Sequence, residues 1–119
     1  MDEAKGVVKH VVLTKFKEGV SESEIEQVIK GFANLVNLID PMHKYIIPNS
    51  QFMQWTNTEN IRIKYMGFTH IFQSTFKSTE DVVEYAAHPA HVDFANLFLP
   101  CVDKFLAFDY KPTTVRVCI

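Results

Sequence analysis

The stretch VVKHVVLTKF at residues 7–16 alternates between two sets of side chains and predicts the first strand of the fold. Its even positions place His10 among apolar residues on one face, while its odd positions carry Lys9 and Lys15 together with apolar residues on the other. Because successive side chains of a strand point to opposite faces, this period of two is typical of a β-strand. His10 therefore interrupts a face that is otherwise largely apolar.

The segment after this strand predicts a helix. Gly19 interrupts the alternation, and Ser21 to Glu24 forms a capping box, in which the serine hydroxyl and the glutamate carboxylate satisfy amides at the start of a helix. Apolar residues then recur at helical spacing and form one stripe. The stripe consists of Ile25, Val28, Ile29, Phe32, Val36 and Ile39. Pro41 predicts the end of the helix.

The remaining sequence predicts two more strands, an interrupted helix and a last strand. Residues 43–51 are predicted to be irregular, 52–55 to form a short strand and 57–64 to form a loop. Residues 67–76 predict a strand whose shared face carries Phe68, His70, Phe72, Ser74 and Phe76, with Ile71 opposite. An N-cap signal at Ser78 starts a helix that restarts at His88-Pro89. Residues 105–110 predict the last strand, and Pro112 closes it.

The predicted order is β-α-β-β-α-β, which is the ferredoxin-like α+β arrangement. In this arrangement an antiparallel four-stranded sheet has both helices on one face. A length of 119 residues predicts a single domain across residues 1–119. Val11, Leu13 and Ile71 make the far face of the sheet apolar, so burial against a second copy in a homodimer is the expected solution.

Composition excludes several kinds of partner. The formal net charge is −2 and no dense run of Lys or Arg occurs, which argues against nucleic acid. No apolar run approaches the roughly 20 residues that cross a bilayer, and the polar start is unlike a signal peptide. Cys101 and Cys118 lack metal-binding spacing, so free thiols in a reducing compartment are expected. These features predict a cytoplasmic protein without a membrane partner.

Two strand histidines and one short motif could carry chemistry. His10 and His70 each interrupt an apolar face, and for either one alone the favoured interpretation is a neutral, hydrogen-bonded core histidine. Tyr85 precedes His91 by six residues, with Pro89 between them, so the two side chains could meet only across a bend in the helix. A histidine beside a phenol is a usable acid–base pair. The alternative is that His88 is an N-cap and His91 a solvated surface residue.

Metal and nucleotide sites find little support. His88 and His91 are three residues apart, with no Cys or carboxylate at a matching position, which is below the usual ligand count for zinc. The sequence contains no P-loop or glycine-rich dinucleotide turn, and no Ser-His-Asp order.

Five segments together resemble the plant stress-response A/B barrel family. They are Val8-Lys9-His10, residues 34–37 (Asn-Leu-Val-Asn), residues 67–71 (Gly-Phe-Thr-His-Ile), residues 85–91 with the His-Pro-Ala-His core, and residues 109–112 (Asp-Tyr-Lys-Pro). The resemblance covers about residues 7 to 112, and its most specific part is the His-Pro-Ala-His core with the upstream tyrosine. The family contains heat-stable stress proteins, to which the chain is more similar, and a polyketide cyclase.

The resemblance implies a dimeric α+β barrel and, by analogy with the cyclase, a catalytic pair formed by Tyr85 and His91. Such a pair promotes intramolecular aldol closure of a linear polyketide thioester without a required cofactor. The implied substrate-binding residues are His10, His70, Ile29, Phe32, Phe72, His88, Phe94, Ala95, Leu97, Val102 and Phe105. The resemblance also implies a structural magnesium ion held by the main-chain carbonyls of Val36, Ile39 and Met42.

Three functions therefore stand as hypotheses. The first is a polyketide cyclase-like enzyme that uses His91 as base and Tyr85 as proton donor. The second is a non-enzymatic, heat-stable stress-response protein that binds small hydrophobic ligands. The third is a purely structural assembly protein, and burying four polar pocket residues makes it the least economical.

Overall fold

The computed structural model describes residues 7–39, 53–57 and 66–112. The strands are β1 (Val8–Phe16), β2 (Met53–Asn57), β3 (His70–Phe76) and β4 (Val102–Tyr110), and the helices are α1 (Glu22–Leu38), α2 (Thr79–Ala87) and α3 (Pro89–Phe98). A 3₁₀ turn, Leu99–Cys101, joins α3 to β4. No helix within these ranges is both long and apolar enough to span a bilayer.

The strands form one antiparallel sheet in the order β2-β3-β1-β4, so β1 lies between β3 and β4. All three helices contact the same face, which we call the inner face. For example, Phe32 of α1 and Phe98 of α3 both pack against Phe72 of β3, with ring centroids 4.9 and 6.1 Å apart. The predicted ferredoxin-like α+β class is confirmed, and within the described ranges the sheet is open.

Helix α1 begins as the sequence predicts. The Ser21 hydroxyl accepts a hydrogen bond from the amide of Glu24, and the Glu24 carboxylate accepts one from the amide of Ser21, which completes the capping box. The deepest contacts come from Val28, Phe32, Leu35 and Ile39. Leu35 was absent from the predicted stripe, whereas Ile25, Ile29 and Val36 lie only partly buried at its margins. The buried line thus runs at i, i+4 and i+7 through the centre of the helix face.

Strand β3 starts later than its sequence pattern predicts. Gly67 has a φ of +90°, a conformation that favours glycine and does not continue a strand. The chain therefore turns before His70, and Phe68 packs with Val11 and Leu13 on the outer face instead of sharing the face of Phe72. The prediction for Phe68 was wrong because alternation was extended through a turn.

Strand β4 starts at Val102, three residues earlier than predicted. Its register with β1 shifts between Lys15 and Phe16, which pair with Lys104 and Val102, so Asp103 is accommodated as an irregularity. Beyond this point the pairing is regular, and Phe105, Ala107 and Asp109 share the inner face with the even positions of β1. This register decides which β4 side chains can reach the helices.

Candidate functional site

A cavity of about 250 Å³ lies between the inner face of the sheet and the helices. Three of its lining residues carry polar side chains: His10, Tyr85 and His91. The remaining walls are apolar and mostly aromatic: Val12, Phe32, Phe72, Phe94, Ala95, Phe98, Leu99, Phe105 and Ala107. The cavity therefore combines a polar end with a long apolar surface, as is usual for small-molecule sites.

The break between α2 and α3 brings the tyrosine and the second histidine of the motif together. His88 ends α2 in an extended conformation, and its Nδ1 accepts a hydrogen bond of 3.0 Å from the amide of Ala90. Pro89 then occupies the first turn of α3, where its missing N–H costs nothing. The chain bends, and the rings of Tyr85 and His91 come to a centroid distance of 4.6 Å.

Tyr85 is a buried phenol. Its side chain is 3% exposed, and its ring packs against Phe76 at 4.9 Å. Burial raises the pKa of Tyr85 strongly, because the phenolate would lose its hydration, while the nearby Ser74 side chain acts weakly in the opposite direction. The Ser74 hydroxyl nevertheless makes no hydrogen bond of good geometry among the described residues. Tyr85 therefore remains a proton donor at every physiological pH.

The pKa of His91 is shifted in the direction opposite to that of Tyr85. Burial lowers the pKa of His91, because the imidazolium form would be poorly solvated, and the electrostatic interaction with His10 lowers it further. A backbone interaction with Ala86 partly offsets both effects. His91 is therefore held as a neutral imidazole near pH 7, which is the form that can accept a proton.

His10 enters the same cavity from the sheet. It lies directly opposite Asp109 in the β1–β4 pairing, and its Nδ1 is 2.5 Å from an Asp109 carboxylate oxygen. The rings of His10 and Tyr85 meet edge-on at a centroid distance of 5.7 Å. Sequence reasoning missed Asp109 as a site residue. Two signals were available: its position on the inner face of the last strand, and its place as the first residue of the resemblance segment 109–112.

The structure brings together most of the predicted site residues. Eight of them line the cavity: His10, Phe32, Phe72, Tyr85, His91, Phe94, Ala95 and Phe105. The other five predicted residues, Ile29, His70, His88, Leu97 and Val102, do not line it. Val12, Phe98, Leu99 and Ala107 line it without having been predicted, because their faces depend on strand register and on the path of α3.

The structure shows why these five predicted residues do not line the cavity. His70 sits farther along the sheet, where its ring packs edge-on against Phe16 at 5.0 Å. His88 is committed to capping α3. Leu97 of α3 is 41% exposed, Val102 is buried in the hydrophobic core, and Ile29 of α1 is partly buried against that core. Of the four polar residues predicted to share one pocket, His10, Tyr85 and His91 line the cavity and His70 does not.

The described residues do not complete the magnesium site. Val36 lies within α1 and Ile39 caps its end, donating its own N–H to the carbonyl of Leu35, while Met42 lies outside the described residues. Within the described ranges no cluster of three or more His, Cys, Asp or Glu residues could hold a metal ion. The magnesium ion stays a prediction.

Comparisons with known proteins agree with this architecture. The family model of the stress responsive A/B barrel domain matches residues 8–112. The chain is 55% identical over 117 residues to stress-response A/B barrel domain-containing protein HS1 of Arabidopsis thaliana, covering 98% of this chain and all of that protein. It is 37% identical over 105 residues to olivetolic acid cyclase of Cannabis sativa, covering 88% and 96% of the two chains.

Solved structures show the same fold. A hydroxynitrile lyase from Passiflora edulis superposes with a TM-score of 0.75 at 26% identity, covering 93% of this chain and 97% of the lyase. A dimeric ferredoxin-like protein of unknown function from Thermobifida fusca superposes with a TM-score of 0.68, covering 89% and 91% of the two chains. At 15% identity it bears on the fold alone. With a family match that spans β1 to the end of β4, the chain belongs to the stress-responsive A/B barrel domain family.

Proposed function

We propose that this protein is a polyketide cyclase-like catalyst that promotes intramolecular aldol closure of a linear polyketide thioester. The carrying observation is the contact between Tyr85 and His91, whose rings are 4.6 Å apart and whose pKa values are shifted in opposite directions. Two neighbouring titratable groups whose pKa values are shifted in opposite directions by their surroundings are typical of an acid and a base that act together.

The proposed step uses each group once. His91 removes a proton from a methylene carbon between two carbonyl groups of the substrate. The resulting enolate carbon forms a bond to a second carbonyl carbon of the same chain, and the C=O π bond of that carbonyl breaks. Its oxygen takes the phenolic proton of Tyr85, and the protonated His91 restores that proton. No net proton is gained or lost by the protein.

The apolar walls supply the second requirement of the reaction. A flexible linear chain must fold back on itself before its ends can react, and this folding costs conformational entropy. A close-fitting site that holds the folded conformation lowers the entropic part of the activation barrier. Phe32, Phe72, Phe94 and Phe98 form a connected aromatic surface facing the polar end. A cavity of about 250 Å³ suits a small substrate with carbonyl groups at one end and a short apolar tail.

An assay coupled to a type III polyketide synthase tests the proposed function. The synthase would make tetraketide thioesters from acyl starters of several lengths, and product mixtures with and without this protein would be compared by mass spectrometry. We expect a cyclised aromatic product, formed from the aldol adduct by loss of water, to appear only when the protein is present. Identical mixtures for every starter would contradict the proposal. A hydroxynitrile should be assayed in parallel, since one structural relative is a lyase of that class.

A second function is favoured by the strong similarity to a stress-response protein. In that case the cavity binds hydrophobic molecules without converting them, and the protein is unusually heat-stable. A thermal midpoint within the mesophile range of about 45–65 °C would count against this function. Conversion of a bound polyketide would support the cyclase-like enzyme over the non-enzymatic binding protein.

We also propose self-association through the outer face of β4. Leu106, Phe108 and Tyr110 point to that face and are each more than 40% exposed, and Phe108 stacks with Tyr110. An exposed apolar row along a sheet edge is typical of an interface. Replacing Phe108 by lysine should weaken a homodimer by on the order of 2 kcal/mol of association free energy. Light scattering over a concentration series would measure this.

The matched control is Val83→Lys, which adds the same charge at an exposed apolar position on α2. We expect it to leave the oligomeric state unchanged. A wild-type protein that is monomeric at all concentrations would refute the interface, and so would an equal loss of association in both variants.

A further inference from the structure

The pair formed by His10 and Asp109 is not used by the proposed acid–base step. The two residues lie opposite each other on neighbouring strands, and both point to the inner face. Their side chains differ in environment, because His10 is 19% exposed and lines the cavity, while Asp109 is 46% exposed and does not line it. The carboxylate therefore reaches the histidine from the solvent side.

This geometry fixes the tautomer of His10. An ionised carboxylate can only accept hydrogen bonds, so the 2.5 Å contact requires the proton on Nδ1 of His10. The other ring nitrogen, Nε2, is then left for a ligand. Free rotation of the ring is also restrained, because Tyr85 packs against it edge-on.

The hydrogen bonds that Nε2 of His10 can make indicate which class of ligand would bind there. A neutral His10 with its proton on Nδ1 accepts a hydrogen bond at Nε2, and a protonated His10 donates one. A 1,3-dicarbonyl compound can satisfy either state, because its enol form offers a hydroxyl and its keto form offers a carbonyl oxygen. Such a group is also the one whose central methylene proton His91 would remove.

We propose that Asp109 is a positioning residue that holds His10 so that Nε2 binds one oxygen of a 1,3-dicarbonyl, while Tyr85 binds the oxygen that develops charge. The dicarbonyl end of the substrate would then be held by two protein groups, His10 on the sheet and Tyr85 at the α2–α3 bend. This assignment rests on the proposed function for its substrate class, but it can be measured without turnover.

The first measurement is the tautomer of His10. In the Asp109→Asn variant the side chain keeps its shape, but its amide can donate to Nδ1 and so permit the other tautomer. Nitrogen-15 chemical shifts of the His10 ring should show one Nδ1-protonated form in the wild type and a mixed or reversed form in the variant. Asp103→Asn is the control, because Asp103 lies on the same strand and pairs with Lys15. It should leave the His10 shifts unchanged.

The second measurement is ligand discrimination, with acetylacetone as the 1,3-dicarbonyl and 2-pentanone as the monoketone. We expect the wild type to bind acetylacetone more tightly, and Asp109→Asn to lose about tenfold of that preference. In a His10→Gln background the same substitution should change nothing further, because Asp109 acts through His10. Asp103→Asn should bind as the wild type does.

Unchanged His10 shifts in Asp109→Asn would overturn the proposal, and so would an unchanged preference despite an altered tautomer. An additional loss in the His10→Gln background would show that Asp109 does not act through His10. Failure of the aldol reaction itself would appear in the synthase-coupled assay instead, with the tautomer and binding results intact. The two failures are therefore distinguishable.

Discussion

Replacing His91 by alanine is expected to lower the rate of aldol closure by about 100- to 10,000-fold, because the cavity loses its general base. His91 is half-buried on α3, and its ring contacts Tyr85 across the helix break. Removal of the imidazole leaves the aromatic walls in place, so substrate binding should change much less than turnover. Initial rates across a range of substrate concentrations would separate the two effects.

The matched control for this variant is Val92→Ala at the neighbouring position, which is exposed and does not line the cavity. It should react at the wild-type rate. A wild-type rate in His91→Ala would instead refute the catalytic role of His91. A parallel loss in both variants would point to damage of α3.

The pH dependence of the wild type follows from the same two groups. The pKa of His91 is lowered, so the base form dominates at neutral pH and activity should fall only as the pH drops below the ordinary histidine value of about 6.5. The pKa of Tyr85 is raised, so the proton donor should persist beyond pH 10. A broad plateau from neutral to alkaline pH is expected. A decline of activity between pH 7 and 9 would contradict this assignment.

Replacing Phe76 by alanine should reduce the free energy of unfolding by about 3–5 kcal/mol, because it removes a large side chain from a close-packed core. Phe76 is 0% exposed, and its ring lies 4.9 Å from that of Tyr85. The resulting cavity would also loosen the packing of the phenol. Urea unfolding followed by circular dichroism would give the loss of stability.

Val83→Ala removes an exposed apolar side chain from α2 and serves as the control for this loss. It should cost less than about 0.5 kcal/mol. A loss of less than about 1 kcal/mol in Phe76→Ala would show that the core around Tyr85 can collapse to fill the space. That result would weaken the view that packing holds the phenol in place.

Local signals in the sequence predicted the features that neighbouring residues can produce by themselves. The capping box at Ser21 and the N-cap at Ser78 satisfy amides only three residues away, so they do not depend on distant contacts. The break at His88-Pro89 is equally local, and it indicated a bend between Tyr85 and His91. Family resemblance then supplied the functional meaning of that bend, which spacing alone left open.

Errors arose where a local pattern was extended past a turn or where strand register mattered. Phe68 follows Gly67, whose positive φ reverses the chain before β3, so its side chain takes the outer face. His70 shares the inner face with His10 but sits at another level of the sheet, because it pairs with Thr14 while His10 pairs with Ser74. The alternation of apolar and polar residues predicts which face of the sheet a side chain takes, but it does not predict the position of that side chain along the face.

The sequence by itself determined the element order, the inner face of β1 with its histidine, and the motif that places Tyr85 near His91. Only the tertiary structure decided which residues enclose the cavity and that Asp109 meets His10. Those two residues are far apart in the chain, and their contact depends on the β1–β4 register, including the irregularity beside Lys15. Register is set by side-chain packing across the whole sheet, which no local stretch of sequence contains.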